Sequence, residues 1–271
     1  MTPPVPPTPA PELTWEPPHL IPNFWWRWAT VLGLVAYLAY ASTALDLNWA
    51  RFVHGLPRAW DFISRMVPPS FERWELIVSG GLESLRMALI SSFIGVVIGV
   101  PVAVGASRNL SPWYVYLLSR GYIAISRTFP EVIIAILFVK AFGFGAFAGT
   151  LTLVAAASGF IGKLLAEDIE DIDPGQVEAI RATGAGGMKV LLYGVFPQVL
   201  PRLVGLAIYR LDINLRASTI IGIVGAGGIG SALFHSFKRY DYDFTLAILL
   251  VIIAMVMVAE LVSTELRRRI Q

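Results

Sequence analysis

Residues 167–198 read EDIEDIDPGQVEAIRATGAGGMKVLLYGVFPQ, a long polar insert between two apolar stretches. Asp173-Pro174 opens a helix. The carboxylate suits the N-cap, the proline suits the first helical position, and Gln176 is placed to complete a capping box. This helix offers Val177, Ile180 and Arg181 on one side. Gly184 ends it, with Gly186 and Gly187 behind. A second short helix, Met188 to Val195, is predicted before Pro197. A helix–glycine–helix element on a membrane surface presents a short rigid helix to a soluble protein, so 167–198 reads as a docking device.

The composition makes the flanks membrane spans. The chain has 271 residues, 56% of them hydrophobic and 15% charged, against about 25% charged in a typical soluble domain. Its mean hydropathy is +0.66. So few charges cannot cover a soluble surface, which points to lipid as the solvent. The same figures exclude global disorder and, with a net charge of only +2, a nucleic-acid binder driven by charge. Cysteine is absent, which removes disulfides, thiolate zinc sites and cysteine nucleophiles together.

A membrane helix needs about 20 mostly apolar residues. Uncharged runs occur at Trp28–Leu45, Met87–Ser107, Ala141–Gly162 and Phe244–Ala259, the last extended by Leu261–Thr264 past Glu260. Pro112–Val139 and Val199–Ile223 are apolar but carry charges. A span at 217–237 would put Gly222, Gly225, Gly227, Gly228 and Gly230 inside a helix, which glycine disfavours. Six spans are therefore predicted, at about 24–45, 80–106, 112–140, 144–166, 199–222 and 243–265. Residues 1–22, with eight prolines before Pro22, read as a disordered or polyproline-like cytoplasmic tail. Residues 23–79 form an N-terminal helix plus an external segment. In that segment Trp49, Phe52, Val53, Leu56, Trp60 and Ile63 recur at helical spacing, and Pro57 is expected to break or kink the pattern. Its role is open between membrane-surface packing and docking of an external partner. Residues 80–271 form the remaining membrane domain.

Two formal motifs lack their context. Gly225-Ala-Gly227-Gly-Ile-Gly230 matches GxGxxG, but a dinucleotide fold needs a strand before it and an acidic residue about 20 positions on. Here a membrane span precedes it. The run reads as backbone that packs closely or bends at the outer end of a pore. Gly162-Lys163 lacks the earlier glycine and the following Ser/Thr of a phosphate loop. No ATP chemistry is expected in this chain, and no catalytic residue. His19, His54 and His235 are scattered, so no metal site is expected.

The charges inside spans carry more information, because an Arg or Asp near mid-bilayer costs about 2.5–3.5 kcal/mol on insertion scales. Asp212 and Arg216 are four apart and can pair, as can Arg127 and Glu131. Arg210, near the middle of its span, is then the surplus cation, with Asn214 on the same helix face. These groups either form interhelical bridges only or line a path for an anion.

The chain also resembles a known family. Glu178-Ala179-Ile180, Gly184 and Pro197 match the EAA loop of ABC importer permeases in spacing, with Ile180, Gly194 and Phe196 as mild departures. The likeness covers about 72–269 and is nearest the phosphonate importer branch. It rests there on Arg127-Thr-Phe-Pro-Glu131, on Gly162-Lys163 with Glu167 and Glu170, on Tyr209-Arg210-Leu-Asp212-Ile-Asn214-Leu-Arg216, and on Ser218 through Gly230. Methionine importer permeases have a similar glycine run. The resemblance implies an all-α permease, a five-helix importer core plus one N-terminal helix, in the bacterial inner membrane with both termini cytoplasmic. The charge count alone does not decide orientation: eight Lys and Arg fall on the segments this places inside and seven on those outside. It further implies a homodimer in the lipid bilayer, two ATP-binding subunits holding ATP and Mg on the cytoplasmic side, and an external substrate-binding protein. Coupling to the ATPase would fall to Asp173, Glu178, Ala179, Arg181, Ala182 and Gly184. The translocation path would fall to Arg127, Arg210, Asn214, Arg216 and Ser218, and the gate to Gly225, Gly227, Gly228, Gly230 and Pro197. The substrate would be a phosphonate or related phosphorus oxyanion. A methionine permease, a membrane-embedded nucleotide-binding enzyme and a scaffold without transport are the alternatives.

Overall fold

A computed structural model describes residues 23–45 and 49–270. The proline-rich 1–22 lies outside the described residues. Two compact units emerge, Met1–Asp61 and Phe62–Gln271.

The first unit holds α1 (Phe24–Ala44) and most of α2 (Trp49–Ser64). Asn23 caps α1, accepting from the Trp25 N–H at 3.3 Å. Large apolar side chains stand exposed along α1, among them Trp25, Leu32, Val35 and Tyr37, the all-round apolar surface of a helix solvated by lipid. Helix α2 runs through Pro57 unbroken, contrary to the expected break. The ring deletes one hydrogen bond, and the turns on either side carry the helix past it.

The second unit contains α3 (Trp74–Gly105), α4 (Trp113–Thr128), α5 (Glu131–Phe142), α6 (Ala146–Glu170), α7 (Pro174–Ala182), α8 (Gly187–Val190), a π turn (Leu191–Val195), α9 (Phe196–Gly222), α10 (Ile229–Lys238) and α11 (Tyr242–Ile270). No strand occurs among the described residues. Four helical stretches are long and apolar enough to cross a membrane, or up to six crossings if each of two bent pairs counts as one. The all-α membrane fold expected from the composition is what the chain adopts.

Two elements differ from expectation. The span predicted at 112–140 is two helices, α4 and α5, meeting at a 95° bend. Phe129 precedes Pro130 and is extended (φ −91°, ψ 129°), because the proline ring crowds a helical conformation at the preceding residue. The second short helix expected at 188–195 is not separate. It passes through the π turn into α9, so Gly187–Gly222 forms one 36-residue stretch. Pro197 does not end it. The π turn already interrupts the i→i−4 ladder, so the missing N–H of Pro197 falls where the ladder is broken anyway.

The core is built on α3 and α6. A β-carbon on Gly95 would collide with Ala157, and one on Gly99 would come within 2.8 Å of Ile161. Small residues let two membrane helices approach this closely, and dispersion then replaces the hydrophobic drive that lipid cannot provide. One buried cluster joins Ile161, Leu165 and Ile169 of α6 to Val177 of α7, Val195 of the π turn and Val199 of α9. The short helix α7 is thus rooted in the core of the membrane domain.

Candidate functional site

The first candidate feature is α7. The Asp173 carboxylate accepts from the Gly175 N–H at 2.9 Å, as the N-cap reading requires. The capping box is closed differently, however. The Asp173 N–H donates to Oε1 of Gln198 at 3.0 Å, a residue 25 positions on, and not to Gln176. Val177 is buried and Ile180 half-buried against the core, while Glu178, Ala179, Arg181, Ala182 and Gly184 are exposed. Arg181, four residues from Val177 on the same side of the helix, ends exposed while Val177 is buried. Gly184 has φ +78°, the left-handed conformation that terminates a helix. Beside α7, Met188, Leu192 and Tyr193 are exposed, an apolar surface next to a polar helix that the sequence reading passed over. Their signal was the apolar spacing of the segment after Gly187.

The second feature is a charged layer between helices. Arg210 is 4% exposed and bonds Glu131 of α5 at 2.8 Å, with its guanidinium 5.4 Å from the Phe160 ring centre. The expected Arg127–Glu131 pair is absent for that reason. Glu131 is taken by Arg210, and Arg127 is exposed with no ion pair among the described residues. Of these two arginines, Arg127 and not Arg210 is the one left without a carboxylate partner. Asp212 and Arg216 pair as their spacing predicts. Asn214 is fully buried and donates to Ser91 and Ser92 of α3 at 3.0 and 2.9 Å. Ser218 is fully buried and donates to the Leu215 carbonyl. Of the five residues assigned to a path, Arg127 and Arg216 present exposed charge, and the other three are tied into helix contacts.

At the C-terminal end of α6, Glu170 accepts from Arg120 and from the Arg108 N–H, both at 2.9 Å. The Tyr116 hydroxyl bonds the Arg108 guanidinium and raises its already high pKa. This cluster joins α4 and the α3–α4 loop to α6.

The third feature is the glycine run. Gly225, Gly227 and Gly228 have φ of +87°, +83° and +74°. The run leaves α9 and threads against α6 and α3. The Gly145 N–H donates to the Gly225 carbonyl at 2.9 Å, and Ser84 Oγ accepts from the Ile229 N–H at 3.0 Å. It then enters α10, a helix not anticipated from the sequence and into which Gly230 falls. Ile229 and Leu233, four apart, pack with α11 residues in one cluster, and their spacing was the available signal. A helix, not a strand, precedes the run, so the dinucleotide context is missing.

The family model described as "Binding-protein-dependent transport system inner membrane component" matches residues 95–271. The chain belongs to this family. The phosphite transport system permease protein PtxC of Stutzerimonas stutzeri is 39% identical over 92% of this chain and 93% of its own. The phosphate-import permease protein PhnE of Mycolicibacterium smegmatis is 40% identical over 88% of this chain, which spans 45% of that longer relative. Among solved structures, the MetNI methionine ABC transporter in inward-facing conformations matches with a TM-score of 0.65 at 27% identity, over 74% of this chain and 99% of that one. This permease thus carries α7, the charged layer and the glycine hairpin on a fold similar to that transporter's.

Proposed function

We propose that this permease is the membrane-spanning subunit of an ABC importer that moves phosphite, phosphonate or a related phosphorus oxyanion into the cytoplasm. The observation that carries the reading is the near full-length similarity to a phosphite permease, in a chain that keeps an exposed, unpaired arginine within its membrane domain. The chain works as a homodimer. Two ATP-binding subunits, holding ATP and Mg, dock on the exposed face of α7 and on Met188, Leu192 and Tyr193. That places the termini and α7 in the cytoplasm and the 46–79 segment outside, where a substrate-binding protein delivers the oxyanion. The gate is the glycine hairpin at the outer end.

Arg127 lies about 21 Å along α4 from Trp113, at 1.5 Å per residue. Facing lipid there would cost roughly 2.5–3.5 kcal/mol, so its exposed side chain faces a water-filled path or the second subunit. A guanidinium offers an oxyanion a two-pronged donor. Arg127→Gln is expected to lower phosphite uptake by about tenfold or more, the worth of one charge-assisted hydrogen bond. Assembly and thermal stability stay unchanged, and Arg127→Lys retains part of the uptake. Vesicle uptake at matched complex levels checks this, and normal uptake by Arg127→Gln removes Arg127 from the path.

The second reading, methionine transport, draws on the solved methionine transporter and on the D-methionine permease MetI of Vibrio cholerae, 26% identical over 72% of this chain. Co-purification with the ATPase subunits, followed by ATPase assays with phosphite, methylphosphonate and methionine, decides between them. Stimulation by methionine alone overturns the oxyanion assignment.

A further inference from the structure

Helix α7 has nine residues, far below the length at which an isolated helix holds its own shape. Extended or left-handed positions bound it on both sides: Asp173 has ψ 113° and Gly184 has φ +78°. A force applied to its exposed face reaches α9 through the short glycine-containing linker 183–186 and through the contacts beneath it. Two kinds exist. Val177 and Ile180 pack on the core, a non-directional contact that resists compression but little resists sliding. The other contact is directional and passes through one side chain.

That side chain is Gln198. Its Oε1 accepts from the Asp173 N–H at 3.0 Å, and its Nε2 donates to the Gly194 carbonyl at 2.6 Å. Gly194 lies in the π turn, and a β-carbon there would stand 3.4 Å from the Val177 Cα, so the turn's backbone touches the middle of α7. One residue of α9 therefore joins the N-cap of α7 to the π turn inside the Gly187–Gly222 stretch. A π turn is a rare, loosened piece of helix found mostly at functional sites, and it is the natural joint in an otherwise continuous 36-residue rod.

We propose that Gln198 is a positioning residue that latches α7 to α9 across the π turn, so that movement of a docked ATPase is delivered to the pore helix without slip. The proposal rests on the reading of α7 as the ATPase-docking helix. It assigns to Gln198, which touches neither ATP nor substrate, the conversion of ATPase motion into transport. The side chain must carry both an acceptor and a donor, which only an amide of this length supplies here.

The test uses the complete complex in vesicles with its ATPase subunits and binding protein. The probe is whichever of phosphite, methylphosphonate and methionine the unsubstituted complex takes up. Gln198→Met keeps the length and the packing but removes both hydrogen bonds. It is expected to raise the ATP hydrolysed per substrate transported by about tenfold, at equal complex yield and equal melting temperature. Gln198→Glu keeps the acceptor but turns a second oxygen toward the Gly194 carbonyl, so it fails to rescue coupling. It also serves as the second variant should the methionine form assemble poorly. Gly184→Val, strained by its φ of +78°, disturbs α7 itself and is the control. An unchanged ratio in either Gln198 variant, with Gly184→Val uncoupled, overturns the latch and leaves the docking reading standing. Unchanged ratios in all three overturn the docking reading as well.

Discussion

Replacing Arg210 by methionine destabilises the folded permease by about 1–3 kcal/mol, below the range for a fully buried ion pair because Glu131 keeps 29% of its side chain exposed. Arg210 is 4% exposed, and its bond to Glu131 joins α9 to α5 across 79 residues of sequence. Methionine fills much of the same volume, so lost packing is a small part of the effect. The large part is the half-buried Glu131 carboxylate, left without its cation. The double variant Arg210→Met with Glu131→Gln is accordingly expected to recover more than half of the loss, because no unpaired charge remains. Thermal unfolding in detergent of the two single variants and the double closes the cycle. A loss in the double variant equal to the sum of the two single losses shows that the two groups are not coupled. Asn214 provides the internal contrast. Its hydrogen bonds to Ser91 and Ser92 join neutral groups, and such interhelical bonds average about 0.6 kcal/mol in membranes. Asn214→Leu is therefore the milder change despite complete burial.

The second large effect is at Gly230, where alanine should behave opposite to its usual helix preference. In a helix, Ala is favoured over Gly by about 0.8–1.0 kcal/mol. A β-carbon on Gly230, however, would overlap the Thr219 carbonyl oxygen. That atom belongs to the backbone of α9 and cannot rotate away. Nearby, a β-carbon on Gly222 would stand 2.6 Å from the Gly227 carbonyl oxygen and 2.7 Å from the Gly230 Cα. The hairpin from α9 to α10 thus closes backbone on backbone, and one methyl group forces the helices apart. Overpacking costs about 1–3 kcal/mol, occasionally more, and a clash with main chain belongs at the top of that range. Gly186→Ala, where nothing lies within 4 Å, should change stability by less than about 0.5 kcal/mol. Melting temperatures of the two variants side by side test this. A Gly230→Ala protein as stable as Gly186→Ala means that α10 does not approach α9 as described.

What the sequence by itself determined is what depends on neighbours along the chain. Apolar runs separated by charges predicted the membrane helices. Asp173-Pro174 marked the start of α7 and Gly184 its end, because caps and left-handed turns are local choices. The pairing of Asp212 with Arg216 was legible too, since it needs only a helix and a spacing of four. Local reasoning failed where a distant partner competed. Glu131 stands four residues from Arg127 and would pair with it on a straight helix. Pro130 bends the chain, and Arg210 arrives from α9 to take the carboxylate. Gln176 sat at the capping-box position, yet the Asp173 N–H went to Gln198. The short helix predicted before Pro197 runs on through it, because the π turn gives the chain a place to carry the proline. For Glu131 and the Asp173 N–H, an acceptor or donor had one strong partner to choose, and spacing could offer only the local candidate. Only the packing of α9 against α3, α5 and α6 decided which arginine is buried and paired and which is left exposed with its charge.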